Sequence, residues 1–222
     1  MINYKACIFD LDGTLLDSMG VWKRVDEIFL GRRGLPLTDE YCKAISHMKL
    51  DLAADYTAEI FHLDENPEDI IKEWLDLARE EFTYRIQSKP YAAEYLKKLK
   101  ELKIPIAVAT TAQRELYVPA LKRLGFYSLF DGFADSELLN CCKDRPDIFL
   151  AAAKMLDAEP KDVLVFEDTV HALKTAKQAG FITVGFLDGD HIKDHEEIKK
   201  IADCTACDFK DFFEELCKKA CV

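Results

Sequence analysis

The sequence predicts an α/β protein: a doubly wound, parallel-sheet core interrupted by an inserted helical subdomain. Three observations carry this. Short apolar runs recur through the chain and, in its second half, alternate with helical patterns. The interval from Ser18 to Arg85 breaks that rhythm and reads as helices without a strand. The chemically capable side chains sit directly behind the apolar runs, where an open parallel sheet gathers its ligands.

The first strand is Lys5 to Phe9, and others are expected at Ile104 to Ala109, Asp131 to Ala134, Val163 to Phe166 and Ile182 to Phe186. In the interval after Ser18, Val21, Trp22, Val25, Ile28 and Phe29 form one apolar stripe. Thr38 can cap a second helix carrying Tyr41, Ile45, Met48 and Leu52. Asn66-Pro67 is a cap with a first-turn proline, followed by Ile70, Ile71, Trp74, Leu75, Ala78 and Phe82. Such a stretch is too long for a strand connection, so residues 18–87 are expected to form a helical cap on a core of 1–17 and 88–222. Later helical faces are Ala92, Leu96, Leu99 and Leu102, then Leu116, Ala120, Leu121 and Leu124 with Gly125 as C-cap. Pro146 can open the next, lined by Ile148, Phe149, Ala152 and Leu156, and Asp168 or Thr169 can cap the helix ending near Gly180.

Composition narrows the function. The formal charge of −11 over 222 residues offers no basic footprint, which argues against nucleic acid as a partner. No apolar stretch reaches membrane-spanning length, and the amino terminus lacks a signal-peptide pattern, so a cytoplasmic protein without a membrane partner is expected. Monomer is the default state. Of the eight cysteines, Cys204 and Cys207 are expected in a short strand, and Cys217 and Cys221 on one face of a terminal helix. Packing explains them better than zinc or disulfides.

The chemistry begins with Asp10-Leu11-Asp12-Gly13-Thr14, two carboxylates closing a buried strand before a tight turn. Carboxylates resist desolvation and repel each other, so this placement implies a cation, proton transfer, or both. Thr110 and Thr111 follow the second strand, Lys143 lies in the loop after the third, and Glu167 and Asp168 follow the fourth. Two hydroxyls, one ammonium and four carboxylates in one cleft suit phosphoryl transfer through an attacking aspartate. Attack on a phosphate dianion opposes like charges, about 4 kcal/mol per pair at 4 Å and an effective dielectric near 20. Magnesium and a lysine can offset that. Asp10, Asp168 and the main-chain oxygen of Asp12 are expected ligands for Mg2+, with Glu167 orienting a ligand or water from behind. Thr110 and neighbouring N–H groups, with Lys143, would hold the transferring oxygens. Asp12 is left to protonate the leaving oxygen and then activate water.

The chain resembles the haloacid dehalogenase superfamily, in its branch of phosphoglycolate phosphatases and beta-phosphoglucomutases. The ordered set Asp10-Leu11-Asp12-Gly13-Thr14, Thr110, Lys143-Asp144-Arg145-Pro146-Asp147-Ile148-Phe149 and Phe166-Glu167-Asp168-Thr169 matches that family's four motifs over nearly the whole chain. The resemblance implies a Rossmann-like core with a cap, and a phosphatase acting on a small phosphorylated metabolite. It implies Asp10 as nucleophile and Mg2+ ligand, Asp12 as general acid/base, Thr110 and Lys143 as phosphate ligands, and Asp168 completing the metal site. Departures are Asp144 in place of a proline and Ala172 in place of a glycine. Mutases of the branch often carry valine where Thr14 stands, and a Ser-Arg pair in the cap; here Ser46 is followed by His47. Hydrolysis is therefore favoured over phosphosugar mutase activity. A phosphate-binding module without turnover is the alternative of another class, and intact Asp10 and Asp12 count against it.

Overall fold

The computed structural model describes residues 4–45, 48–187 and 193–219. The expectations placed on residues 1–3, on Ser46 and His47, and on Cys221 lie outside the described residues. The chain divides into two compact units, Met1–Met19 with Ile86–Val222, and Gly20–Arg85.

Strand β1 is Ala6–Phe9. The second unit then supplies α1 (Val21–Arg32), α2 (Asp39–Ile45), α3 (Leu50–Ile60) and α4 (Pro67–Tyr84). The first unit resumes with α5 (Ala92–Glu101), β2 (Ile106–Thr110), α6 (Arg114–Arg123), β3 (Gly132–Asp135), α7 (Ser136–Leu139) and α8 (Asp147–Met155). It continues with β4 (Val163–Glu167), α9 (Val170–Gln178), β5 (Ile182–Phe186), α10 (His195–Ile201), β6 (Cys204–Ala206) and α11 (Lys210–Lys219). Every strand pairing is parallel, in the order β3-β2-β1-β4-β5-β6. Strands β1, β2 and β4 are buried along their whole length, as a sheet covered on both faces requires. One face stacks Phe9 on Phe166 at 4.8 Å, with Tyr95 and Phe209 packed around them. The other buries Ile8, Val165 and Ala109 among Phe149, Ala152 and Phe181.

Local chemistry explains where elements depart from expectation. Strand β2 starts at Ile106 rather than Ile104, because Ile104 N–H still bonds Leu99 O at the end of α5 and Lys103 turns with φ 58°. The expected second helix of the inserted unit is two, α2 and α3. Thr38 does cap α2, its Oγ1 accepting from Tyr41 N–H at 3.2 Å. Met48 and Leu52 are exposed, and the buried stripe of α3 is Ala53, Ala54 and Thr57. On α1, Trp22 is 44% exposed and Asp26 holds the buried position instead. Cys207 lies past the end of β6 and is exposed. No helix among the described residues is long and apolar enough to cross a membrane.

The order places β1 between β2 and β4, with the next strands diverging to either side. That reversal is the topological switch point, where side chains at the carboxyl ends of adjacent strands meet. Thr110, Asp10 and Glu167 stand at or just past those ends.

Candidate active site

Asp10 continues β1, its N–H bonded to Phe166 O at 3.0 Å, so the neighbouring strand holds its backbone in register. The chain then tightens: Thr14, Leu15 and Leu16 all donate N–H groups to Leu11 O. Gly13 sits at φ +77°, where a Cβ would overlap Asp168 Oδ2 and come within 2.9 Å of its Cγ. Only glycine allows the Asp168 carboxylate that close to the turn.

Lys143 is the electrostatic centre. Its Nζ donates to Asp10 Oδ1 and to Glu167 Oε2, the latter at 2.7 Å, and all three side chains are buried. Glu167 Oε1 accepts from Thr169 Oγ1 at 2.8 Å and from the N–H groups of Asp168 and Thr169. Thr169 thus fixes Glu167 while standing at the start of α9. Asp12 is held from another side, by Ser18 Oγ donating to its Oδ1. One oxygen each of Asp10, Glu167 and Asp168 lies within 4.8 Å of the others.

The charges explain the protonation behaviour. Burial pulls the Lys143 ammonium toward deprotonation, but Asp10 and Glu167 outweigh it and raise its pKa. Burial pushes Glu167 up, yet Lys143 and Thr169 bring its carboxyl below the usual range. Asp10 ends well above the usual range: burial and the fields of Glu167, Asp168 and Asp12 exceed what Lys143 returns. Asp12 is also raised by burial, against Ser18 and Lys143. One ammonium is too little cation for these carboxylates. The all-oxygen donor set, crowded and buried, fits a hard divalent ion such as Mg2+.

A cavity of about 150 Å³ opens beside these groups, lined by Asp10, Asp12, Lys143, Glu167, Asp168 and Thr111 among others. The structure thus gathers Asp10, Asp12, Thr111, Lys143, Glu167 and Asp168 around one space. Thr110 stands differently: it is buried, does not line the cavity, and its Oγ1 accepts from Ala112 N–H at 3.0 Å, shaping the loop that presents Thr111. Met19, Thr169 and His171 line the cavity without having been singled out as site residues from sequence. Thr169 is readable as a helix cap and Ser18 as the start of the helical interval, but their bonds to Glu167 and Asp12 depend on rotamers that spacing does not encode. A second cavity, of about 570 Å³, lies within the helical unit, lined by Trp22, Lys23, Asp26, Ile45, Met48 and Trp74 among others. Burial pushes the Asp26 carboxyl up to about 7.

Comparison with known proteins follows the same line. A model of the haloacid dehalogenase-like hydrolase family matches residues 4–180. A validoxylamine A 7'-phosphate phosphatase of Streptomyces hygroscopicus subsp. limoneus is 27% identical over 183 residues, 82% of this chain and 85% of its own. A phosphorylated carbohydrates phosphatase of Thermotoga maritima is 26% identical over 180 residues, 79% of this chain and 82% of its own. The crystal structure of a HAD family hydrolase from Deinococcus radiodurans, with bound phosphate and sodium, superposes with a TM-score of 0.76 at 22% identity, covering 98% of this chain and 97% of that one.

Proposed function

Because the chain belongs to the haloacid dehalogenase-like hydrolase family, we propose that it is a magnesium-dependent phosphatase of a small phosphorylated metabolite, working through an aspartyl-phosphate on Asp10. The observation that carries this reading is Lys143 Nζ bridging Asp10 and Glu167 beside Asp168 at the carboxyl ends of β1 and β4. Relatives named for phosphate esters of carbohydrates and of validoxylamine A support a polyhydroxylated leaving group.

Asp10 Oδ attacks phosphorus, and the bond to the leaving oxygen breaks as Asp12 delivers its proton. Asp12 must hold that proton before giving it up, and Ser18 Oγ, donating to its Oδ1, fixes the carboxyl for that role. Asp12, now a carboxylate, takes a proton from water; the water oxygen attacks phosphorus and releases phosphate from Asp10. Lys143 neutralises the phosphoryl oxygens throughout, with Thr111 and the N–H groups of the loop after β2 as donors to the same oxygens. Asp10, Asp168 and the main-chain oxygen of Asp12 would hold Mg2+, which when bound supplies Lewis-acid neutralisation of the phosphate charge. Selection of the organic group is assigned to the helical unit, which carries its own cavity with Trp22 and Asp26 on its lining.

The test is phosphate release from a panel of sugar phosphates and p-nitrophenyl phosphate, with magnesium and with a chelator. Asp10→Asn is expected to lose at least about 1,000-fold in kcat while the fold persists, since it removes the nucleophile itself. Full activity in Asp10→Asn, or turnover indifferent to chelation, overturns the mechanism. Isomerised sugar phosphate in place of free phosphate favours a mutase.

A further inference from the structure

Two adjacent thiols, Cys141 and Cys142, immediately precede Lys143. Neither takes part in the reaction above. Both are free; Cys142 is exposed, and Cys141 is half-buried against the core that includes Ile148 and Phe149. The loop holding them is pinned at both ends. Asn140 ends α7 in the left-handed region at φ 47°, with α7 itself capped by Asp135, whose Oδ1 accepts from Leu138 N–H at 2.9 Å. Pro146 caps α8 at the far end. A change of backbone at 141–142 therefore has little slack to disappear into before it reaches Lys143.

We propose that Cys141 and Cys142 form a reversible thiol-modification site, oxidised by hydroperoxides to a disulfide between neighbours that withdraws Lys143 from Asp10 and Glu167. Adjacent Cα atoms lie about 3.8 Å apart across a trans peptide, whereas bridged cysteines are usually about 4.4–6.8 Å apart. Closing the ring must therefore distort the peptide joining the two cysteines, and the next residue is Lys143. The lysine Nζ has to satisfy two buried carboxylates at once. A displacement of about 1 Å is enough to break such bonds. A strained disulfide near the surface is also easily reduced, which makes the change reversible.

The chemistry balances with the hydroperoxide as oxidant. The Cys142 sulfur attacks the peroxide; an S–O bond forms, the O–O bond breaks, and water leaves when the oxidant is hydrogen peroxide. The Cys141 sulfur then attacks that of Cys142; the S–S bond forms, the S–O bond breaks, and a second water carries off the thiol proton. Two thiols are oxidised and one peroxide is reduced to two waters. A dithiol reverses the change by exchange.

The inference rests on Lys143 serving the phosphatase reaction, and the experiment separates the two. The reduced protein is titrated with hydrogen peroxide, and p-nitrophenyl phosphate hydrolysis is followed alongside tryptic peptide masses. Cleavage after Arg123 and Lys143 yields a peptide whose cysteines are Cys141 and Cys142 alone. That peptide is expected to lose two hydrogens in step with a fall in activity of about 100-fold, the scale of losing one oxyanion ligand. Dithiothreitol restores both. Cys141→Ser, Cys142→Ser and the double variant keep the reduced activity and resist peroxide. Equal peroxide sensitivity in the double variant, or ring closure with activity unchanged, overturns the proposal. Should a serine variant fail to fold, the wild-type peptide mass read against activity still decides. A reduced protein inert toward every phosphate ester counts against the phosphatase reading, whereas a peptide that never loses its two hydrogens counts against this one.

Discussion

At the scale of single residues, the turn after β1 concentrates the strongest constraint. Gly13 at φ +77° leaves room for the Asp168 carboxylate that a methyl group would occupy. Gly13→Ala is expected to cost about 1–3 kcal/mol, from the left-handed backbone and the displaced carboxylate together. It should also raise the magnesium concentration needed for half-maximal activity at least about tenfold, the effect expected when a metal site loses a well-placed partner. Gly20 is the control: nothing stands within 4 Å of its would-be Cβ, and Gly20→Ala should leave both quantities alone. Thermal unfolding and magnesium titration of phosphate release check the pair. Legibility at this scale follows chemical type. A carboxylate directly behind a buried strand is costly, so Asp10, Glu167 and Asp168 stood out in the bare sequence, whereas Lys143 stood out through the run Lys143-Asp144-Arg145-Pro146-Asp147-Ile148-Phe149. Ser18 and Thr169 did not stand out as site residues, because a hydroxyl at a cap or turn costs nothing and takes its meaning from the partner it reaches. Thr110 was legible from its place at the end of β2; its Oγ1 accepts from Ala112 N–H, which leaves its own proton to donate.

Among elements, one side chain braces the outer edge of the sheet beyond its backbone pairing. Strand β6 is short and poorly covered. Just before it, Asp203 Oδ2 accepts from Thr183 N–H at 2.9 Å and from Thr183 Oγ1 at 3.0 Å, while Lys177 Nζ of α9 reaches Oδ1 at 3.0 Å. The carboxylate therefore ties β5, β6 and α9 together. Partial burial pushes its pKa up, but the Thr183 bonds and Lys177 hold it below the ordinary carboxylate value. A depressed folded-state pKa contributes stability that is present above the unfolded pKa and lost as pH falls through the folded one. Asp203→Ala should thus lower the melting temperature at pH 7 by about 2–6 °C, for about 1–2 kcal/mol of hydrogen bonds to a partly exposed charge. The gap between variant and wild type should narrow at acid pH, below the range where a free aspartate ionises. A gap independent of pH would show that packing, not charge, holds the edge. The parallel sheet and its insert were legible because apolar runs and helical stripes differ in period. The boundaries were less so: β2 lost two residues to the closing turn of α5, and α2 and α3 read as one helix because Tyr41, Ile45, Met48 and Leu52 recur at helical spacing, although Met48 and Leu52 are exposed.

For the whole molecule, the governing quantity is charge. The chain carries a formal −11, yet the substrate class proposed for it is anionic. The compensating ammonium, Lys143, is buried and already paired, so it projects little field into solvent. Long-range electrostatics should therefore oppose the encounter and leave attraction to the last few ångströms. Screening lengths fall from about 30 Å at 0.01 M salt to about 8 Å at 0.15 M, which removes far more of a diffuse repulsion than of a contact attraction. With free magnesium held constant, kcat/KM toward a phosphate dianion should rise over that range by about two- to fivefold, a modest fraction of the steering effects known for strongly charged clefts. The change should fall mainly on KM, because the reacting groups are buried and poorly screened. Kinetics across a salt series, repeated in a second inert salt, check this. A fall in kcat/KM with added salt would mean that a local positive field governs approach despite the net charge, and would direct attention to the exposed lysines and arginines rather than to Lys143.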